Sequence, residues 1–104
     1  MSKQQMTLCP RLSKAMDLIG KRWTALIIYQ LLDGPQRFNA IEQALPISGR
    51  LLSERLKELE KEQIVLREVY AEVPTRVEYS LTNKGRALEA TVRSIESWSK
   101  QWME

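Results

Sequence analysis

Two groups of side chains in this 104-residue chain have the types and spacing to carry chemistry. The first is Arg50, Ser53, Glu54 and Lys57. At about 100° per residue these share the outer side of a helix, while Leu52, Leu56 and Leu59, at i, i+4 and i+7, mark the opposite side for burial. A projecting face of Arg, Ser, Glu and Lys sets donors and acceptors at fixed intervals, as reading base edges in a major groove requires. Leu51 adds a group that could touch a thymine methyl. Arg55, nearer the buried side, could pair with an acidic neighbour or a flanking phosphate. The second group is one thiol, Cys9, followed by Pro10, which signals a helix start. A thiolate there would have its pKa lowered by the helix N-terminus and by Arg11. As a structural residue, Cys9 would instead be a small apolar group packed under the dimer helix. With no second cysteine, its oxidised product would be an intersubunit Cys9 pair, a mixed disulfide with a small thiol, or an adduct.

Other chemistry finds little support. There is no histidine, which removes the commonest general acid/base and metal ligand, so no zinc site is expected. Gly20, Gly34, Gly49 and Gly85 are isolated, unlike a phosphate-cradling loop. No nucleophile and base stand together. An enzyme is not expected, nor is a cofactor. The net charge of +3 permits attraction to phosphate without demanding it. Within residues 48–62, Arg50, Arg55, Lys57 and Lys61 nearly cancel against Glu54, Glu58, Glu60 and Glu62, so the placement of charges matters more than their sum. No run of about 18 uncharged apolar residues is present, and residues 1–9 lack a signal-peptide core. A soluble, cytoplasmic protein with no membrane contact is the expectation.

The elements that must position these groups can be read from period and punctuation. Helices are predicted over residues 10–19 and 22–32, the second with Trp23, Leu26, Ile27 and Leu31 as its buried stripe and Asp33-Gly34-Pro35 as its stop. Phe38, Ile41 and Leu45 mark a short helix over 37–44. Arg37 and Asn39 at its start are candidates for positioning phosphate. Pro46 stops it, and Ser48 is placed to cap the next helix, which runs to about residue 62. Two short helices joined by a tight turn form a helix-turn-helix signature. From Ile64 the period becomes two: residues 65–70 and Val77, Tyr79 and Leu81 predict a hairpin with 73–76 at its tip. Arg76, at that tip without an apolar partner, could reach a phosphate or minor groove, or be a solvated loop arginine.

Residues 82–104 predict one long helix with Leu88, Val92, Ile95, Trp98 and Trp102 along one side. A chain this small offers little surface to cover that stripe, so a two-fold homodimer is predicted, with Leu8 and Met16 completing the interface. Two reading helices would then meet half-sites of double-stranded DNA about one duplex turn apart. Few residues remain for a sizeable ligand pocket, although a dimer could form one between its long helices, and a small-molecule effector is left open. The expected fold class is α+β, mainly α: a single domain over 1–104, with a winged helix-turn-helix core over about 10–82, a two-stranded wing and a C-terminal dimerisation helix over about 83–103.

Together these residues resemble the HxlR-type winged-helix regulators, relatives of the MarR repressors. The resemblance is carried by Cys9-Pro10, Leu18-Ile19-Gly20-Lys21-Arg22-Trp23-Thr24, Leu32-Asp33-Gly34-Pro35-Gln36-Arg37-Phe38, Ile47-Ser48 and the run from Leu52 to Glu60. It continues through Val73 to Thr82 and Lys84-Gly85, so it spans nearly the whole chain. It implies a homodimeric transcriptional regulator that binds an inverted repeat at a promoter, reads it with the helix following Ser48, and responds to oxidants or electrophiles through Cys9. Gln63 departs from the pattern, which has a glycine late in the reading helix. Two alternatives stand beside this: a winged-helix module that docks proteins, and a repressor that answers a small ligand without thiol chemistry.

Overall fold

The computed structural model describes residues 9–104. Leu8, expected at the dimer interface, lies outside the described residues. Helix α1, Pro10–Ile19, begins with proline in its first turn and has Cys9 as its N-cap. No residue of α1 is buried. Helix α2, Thr24–Leu31, starts later than predicted because Trp23 holds a left-handed φ of 80° at the N-cap. Its buried face is Thr24, Ile27, Ile28 and Leu31, the i, i+3, i+4, i+7 set counted from the true start. Leu26, expected in that stripe, is instead exposed, and Ile28 takes the inward position.

Helix α3, Phe38–Ala44, and helix α4, Gly49–Lys61, form the predicted pair. Between them Pro46 blocks helix continuation, and Ile47 turns inward and is buried. Ser48 caps α4, its hydroxyl accepting the Leu51 N–H at 3.1 Å. Leu52, Leu56 and Leu59 are all but completely buried, as their spacing demands. The end of α4 is a Schellman closure: Ile64 N–H donates to Leu59 O and Gln63 N–H to Glu60 O, both at 2.9 Å. Gln63 supplies the left-handed residue this requires, at φ 61°. That is the physical reason a glycine suits the position.

Strands β1, Val65–Tyr70, and β2, Arg76–Leu81, pair antiparallel from Val65–Leu81 out to Tyr70–Arg76. The predicted alternation in β2 is blunted, since every residue of the strand is partly buried. Gln36 explains part of this by adding a backbone bridge to the outer edge, exchanging hydrogen bonds with Tyr79 at 2.9 and 2.8 Å. Sequence period could not reveal one bridging residue. Tyr79 and Leu81 pack on the shared core, which joins α2, α3, α4, β1 and Val92.

The C-terminal segment is two helices rather than one: α5, Asn83–Arg86, and α6, Glu89–Trp102. Ala87 and Leu88 form a tightened turn in which Leu88 N–H bonds Gly85 O, three residues back. The cause is that the two pieces answer to different neighbours. Gly85 presses so closely on Ile64 that a Cβ would collide with the Ile64 carbonyl, whereas α6 packs along α2. The architecture is thus α+β, mainly helical: a winged helix-turn-helix followed by a projecting C-terminal helix.

Candidate nucleic-acid interface

The α3–turn–α4 unit sets its polar groups by burying its apolar ones. With three leucines of α4 locked inward, Arg50, Glu54 and Lys57 are exposed on the outer face. The Arg50 side chain is 91% exposed, and it makes a 3.4 Å ion pair with Glu54 one turn on. An exposed pair of this kind contributes little to stability and is easily exchanged for another partner. Lys57 makes no salt bridge among the described residues. Ser53 is half-buried on the flank. Leu51 is also half-buried and packs against the core, so only part of it remains for outside contact. The Ser48 hydroxyl is occupied as a cap. Arg37, the N-cap residue of α3, and Asn39 are exposed beside this face.

Arg55 turns away from the outer face. Its Nε donates to Arg22 O at 3.1 Å and its Nη1 to Glu58 at 3.4 Å, leaving the side chain 18% exposed. It braces α4 against the α1–α2 turn, and Lys21 adds a 3.0 Å bond to the same Glu58.

Arg76 corrects an expectation. It is the first residue of β2, not an unpartnered tip, and it faces Tyr70 across the ladder. Its guanidinium lies 3.9 Å from the Tyr70 ring centroid and pairs with Glu72 at 2.9 Å and with Glu78. The carboxylates hold its pKa above the ordinary arginine value, and Glu72 is held below its own, chiefly by the hydrogen bond from Arg76. The positive charge of Arg76 is therefore already balanced in the protomer. The tip beyond it carries Val73, fully exposed, next to a cis Val73–Pro74 bond.

Cys9 is exposed in the protomer. Leu12 N–H donates to Cys9 Sγ at 3.4 Å. That backbone N–H, then the one of Arg11, pulls the thiol pKa below its usual value. Among the apolar residues assigned to a dimer seam, the structure divides the set. Val92 is buried in the protomer's own core and Leu88 packs against it. Met16, Ile95, Trp98 and Trp102 remain open, the tryptophans 55% and 67% exposed. Leu12 and Met103 extend this surface without having been foreseen.

Sequence reading also missed the clamp behind α4. Lys84 Nζ donates to Glu62 O at 2.7 Å, Thr82 Oγ1 to Gln63 O at 2.6 Å, and Thr82 N–H to Ile64 O at 3.0 Å. The carbonyls closing α4 are thus held by the residues that begin α5. The Thr82-Asn83-Lys84-Gly85 run was the available signal. An open cleft of about 610 Å³ lies between α1, the end of α4 and the α5–α6 turn. No helix among the described residues is long and apolar enough to cross a membrane.

A family profile described as HxlR-like helix-turn-helix matches residues 18–104. The HTH-type transcriptional regulator YvaP of Bacillus subtilis is 55% identical over 101 residues, covering 96% of this chain and 94% of its own. The reduced form of the transcriptional regulator YodB from B. subtilis superposes with a TM-score of 0.82 at 47% identity, covering 94% of this chain and 97% of that one. YodB is also known in diamide-treated and quinone-bound forms, each with a TM-score of 0.78. The oxidised form of the redox regulator HypR gives a TM-score of 0.86 at 41% identity, covering 92% and 99%.

Proposed function

The chain belongs to the HxlR-like helix-turn-helix family of transcriptional regulators, and from that premise we propose that it acts as a two-fold homodimer that binds an inverted repeat in promoter DNA with α4 in the major groove. The carrying observation is the division of α4 into a leucine face sealed in the core and an open face of Arg50, Glu54 and Lys57. Specificity comes from those few groups, with Ser53 and the open part of Leu51 at the margin. Arg37 and Asn39 at the start of α3 hold the phosphate backbone, and Ser48 serves by fixing the start of α4. Arg76 joins the interface by giving up Glu72 or Glu78 to a phosphate. Its role there is an exchange of partners, not the addition of a free charge.

A gel-shift titration with the DNA upstream of the chain's own gene tests this. Specific binding that weakens steeply with salt is expected; no salt-sensitive specific shift would point to a protein-docking module instead. We further propose that oxidants or electrophiles release the DNA through Cys9. The support is the open thiol at the start of α1, whose pKa is lowered by the backbone N–H groups of Leu12 and Arg11, together with the relative YodB having diamide-treated and quinone-bound forms. Release by diamide or quinone should be lost in Cys9→Ser while the reduced affinity stays unchanged. Release that persists in that variant rejects the thiol role.

A further inference from the structure

We propose that Arg55 is a positioning residue for base reading: it touches no DNA itself and fixes the rotation of α4 that aims Arg50, Glu54 and Lys57 at the base edges. The role rests on the DNA-binding function proposed above. The leucine face of α4 holds the helix to the core by burial, a force that depends on area and not on direction, so it limits a small turn of the helix axis only weakly. Directional bonds to groups far along the chain remove that freedom, and α4 has them at two places. At its end, the carbonyls of Glu62 and Gln63 are held by Lys84 and Thr82. At its middle, the tie is Arg55.

Arg55 Nε donates to the Arg22 carbonyl at 3.1 Å, joining residues 33 apart in sequence, and Nη1 reaches Glu58 at 3.4 Å. The carbonyl it uses belongs to a fixed part of the molecule. Arg22 precedes Trp23, whose φ of 80° sets the start of α2 and whose side chain packs against the core. Lys21, on the other side of Arg22, bonds the same Glu58 at 3.0 Å, so the α1–α2 turn grips α4 at Arg55 and Glu58 together. Glu54 directly precedes Arg55, and Lys57 follows two residues later on the same helix, so a displacement at Arg55 is passed to both. Hydrogen bonding to a base edge needs its groups held to within about 0.5 Å, which makes the readout sensitive to such a displacement. A phosphate contact would require Arg55 to leave both of its partners, whereas the positioning role uses the bonds it already makes.

Titrations of the operator and its single-base variants, at several salt concentrations, test the role on the full chain and on Arg55→Lys. Lysine keeps the charge but lacks the planar fork that spans Arg22 and Glu58. The parent should lose about five- to hundred-fold in affinity for a substitution at a base pair that α4 reads. In Arg55→Lys that penalty should fall below about three-fold at every such base pair, with the salt slope and the affinity for unrelated DNA unchanged. Urea unfolding gives the folded fraction of each variant. Glu58→Gln, which leaves the Arg22 bond in place, should flatten the penalties in the same sense by a smaller factor, and its profile decides the matter should Arg55→Lys not fold. Flattening at one base pair alone would make Arg55 a base contact, and a salt slope lower by about one in Arg55→Ala would make it a phosphate contact; either overturns the proposal. So do unchanged penalties, including the case where affinity falls only in proportion to the folded fraction. Absence of specific binding by the parent removes the DNA-reading function and this role with it, whereas a specific parent with unflattened variants rejects the role of Arg55 alone.

Discussion

Lys57 and Arg76 are both cations near the proposed DNA surface, yet their surroundings assign them different weights. Lys57 has no carboxylate to leave behind, so Lys57→Ala should weaken operator binding by about 1 to 3 kcal/mol if it meets a base, or lower the salt slope by about one if it meets a phosphate. Arg76 must break an existing pair first, and Arg76→Ala should cost less on both measures. Anisotropy titrations at several salt concentrations check the order; a larger loss for Arg76 than for Lys57 would reverse the assignment. Gln63 is a second residue whose surroundings set its value. At φ 61° it carries a steric penalty that glycine would not, so Gln63→Gly should stabilise the fold, by up to about 1 kcal/mol, in urea unfolding. No change or a loss would mean that the Gln63 side chain compensates for its backbone. The departure from the family pattern was visible in the sequence. The φ angle that gives it meaning was not.

At the scale of elements, periodicity was a good guide wherever one helix face had one partner. The three leucines of α4 and the cap at Ser48 were legible because local hydrogen bonding and a single buried stripe agree there. It was a poor guide where an element answers to two neighbours. Residues 83–102 have continuous helical spacing, yet the chain breaks at Ala87–Leu88 because Gly85 is pinned to Ile64 while α6 follows α2. The α2–α6 seam carries its own polar tie, Tyr29 donating to Glu96 at 2.6 Å. That bond holds the Glu96 carboxyl below its usual pKa. A lowered carboxylate pKa stabilises the fold above the unfolded value of about 4.3 and loses that contribution as pH falls through the folded value. Tyr29→Phe should therefore lower thermal stability in the neutral region, above about pH 4.3, and leave the acid end below the folded pKa little changed, so that the acid limb becomes flatter. An acid limb identical to the parent's would remove the seam from the account.

At the scale of the molecule, the chain is extended. Its radius of gyration is 16.1 Å, against about 13 Å for a compact chain of this length. Helices α1 and α6, with the C-cap Met103, carry Leu12, Met16, Ile95, Trp98, Trp102 and Met103 open to solvent. Exposed aromatic surface on a projecting helix is what a second copy would cover, and Trp98→Lys should shift sedimentation toward monomer and weaken operator binding together. A variant that remains dimeric would place the interface elsewhere. The amino-acid sequence by itself determined the helix-turn-helix, the hairpin and the outward face of α4, because these follow from local capping, side-chain period and the need to bury leucine. It also carried the family resemblance, since that rests on short motifs. Only the tertiary structure decided that Arg76 is already paired, that Val92 belongs to the protomer's core, that α5 clamps the end of α4 and that a cleft opens beneath α1. Each of these depends on groups far apart in the chain meeting in space, and no spacing along one segment encodes such a meeting.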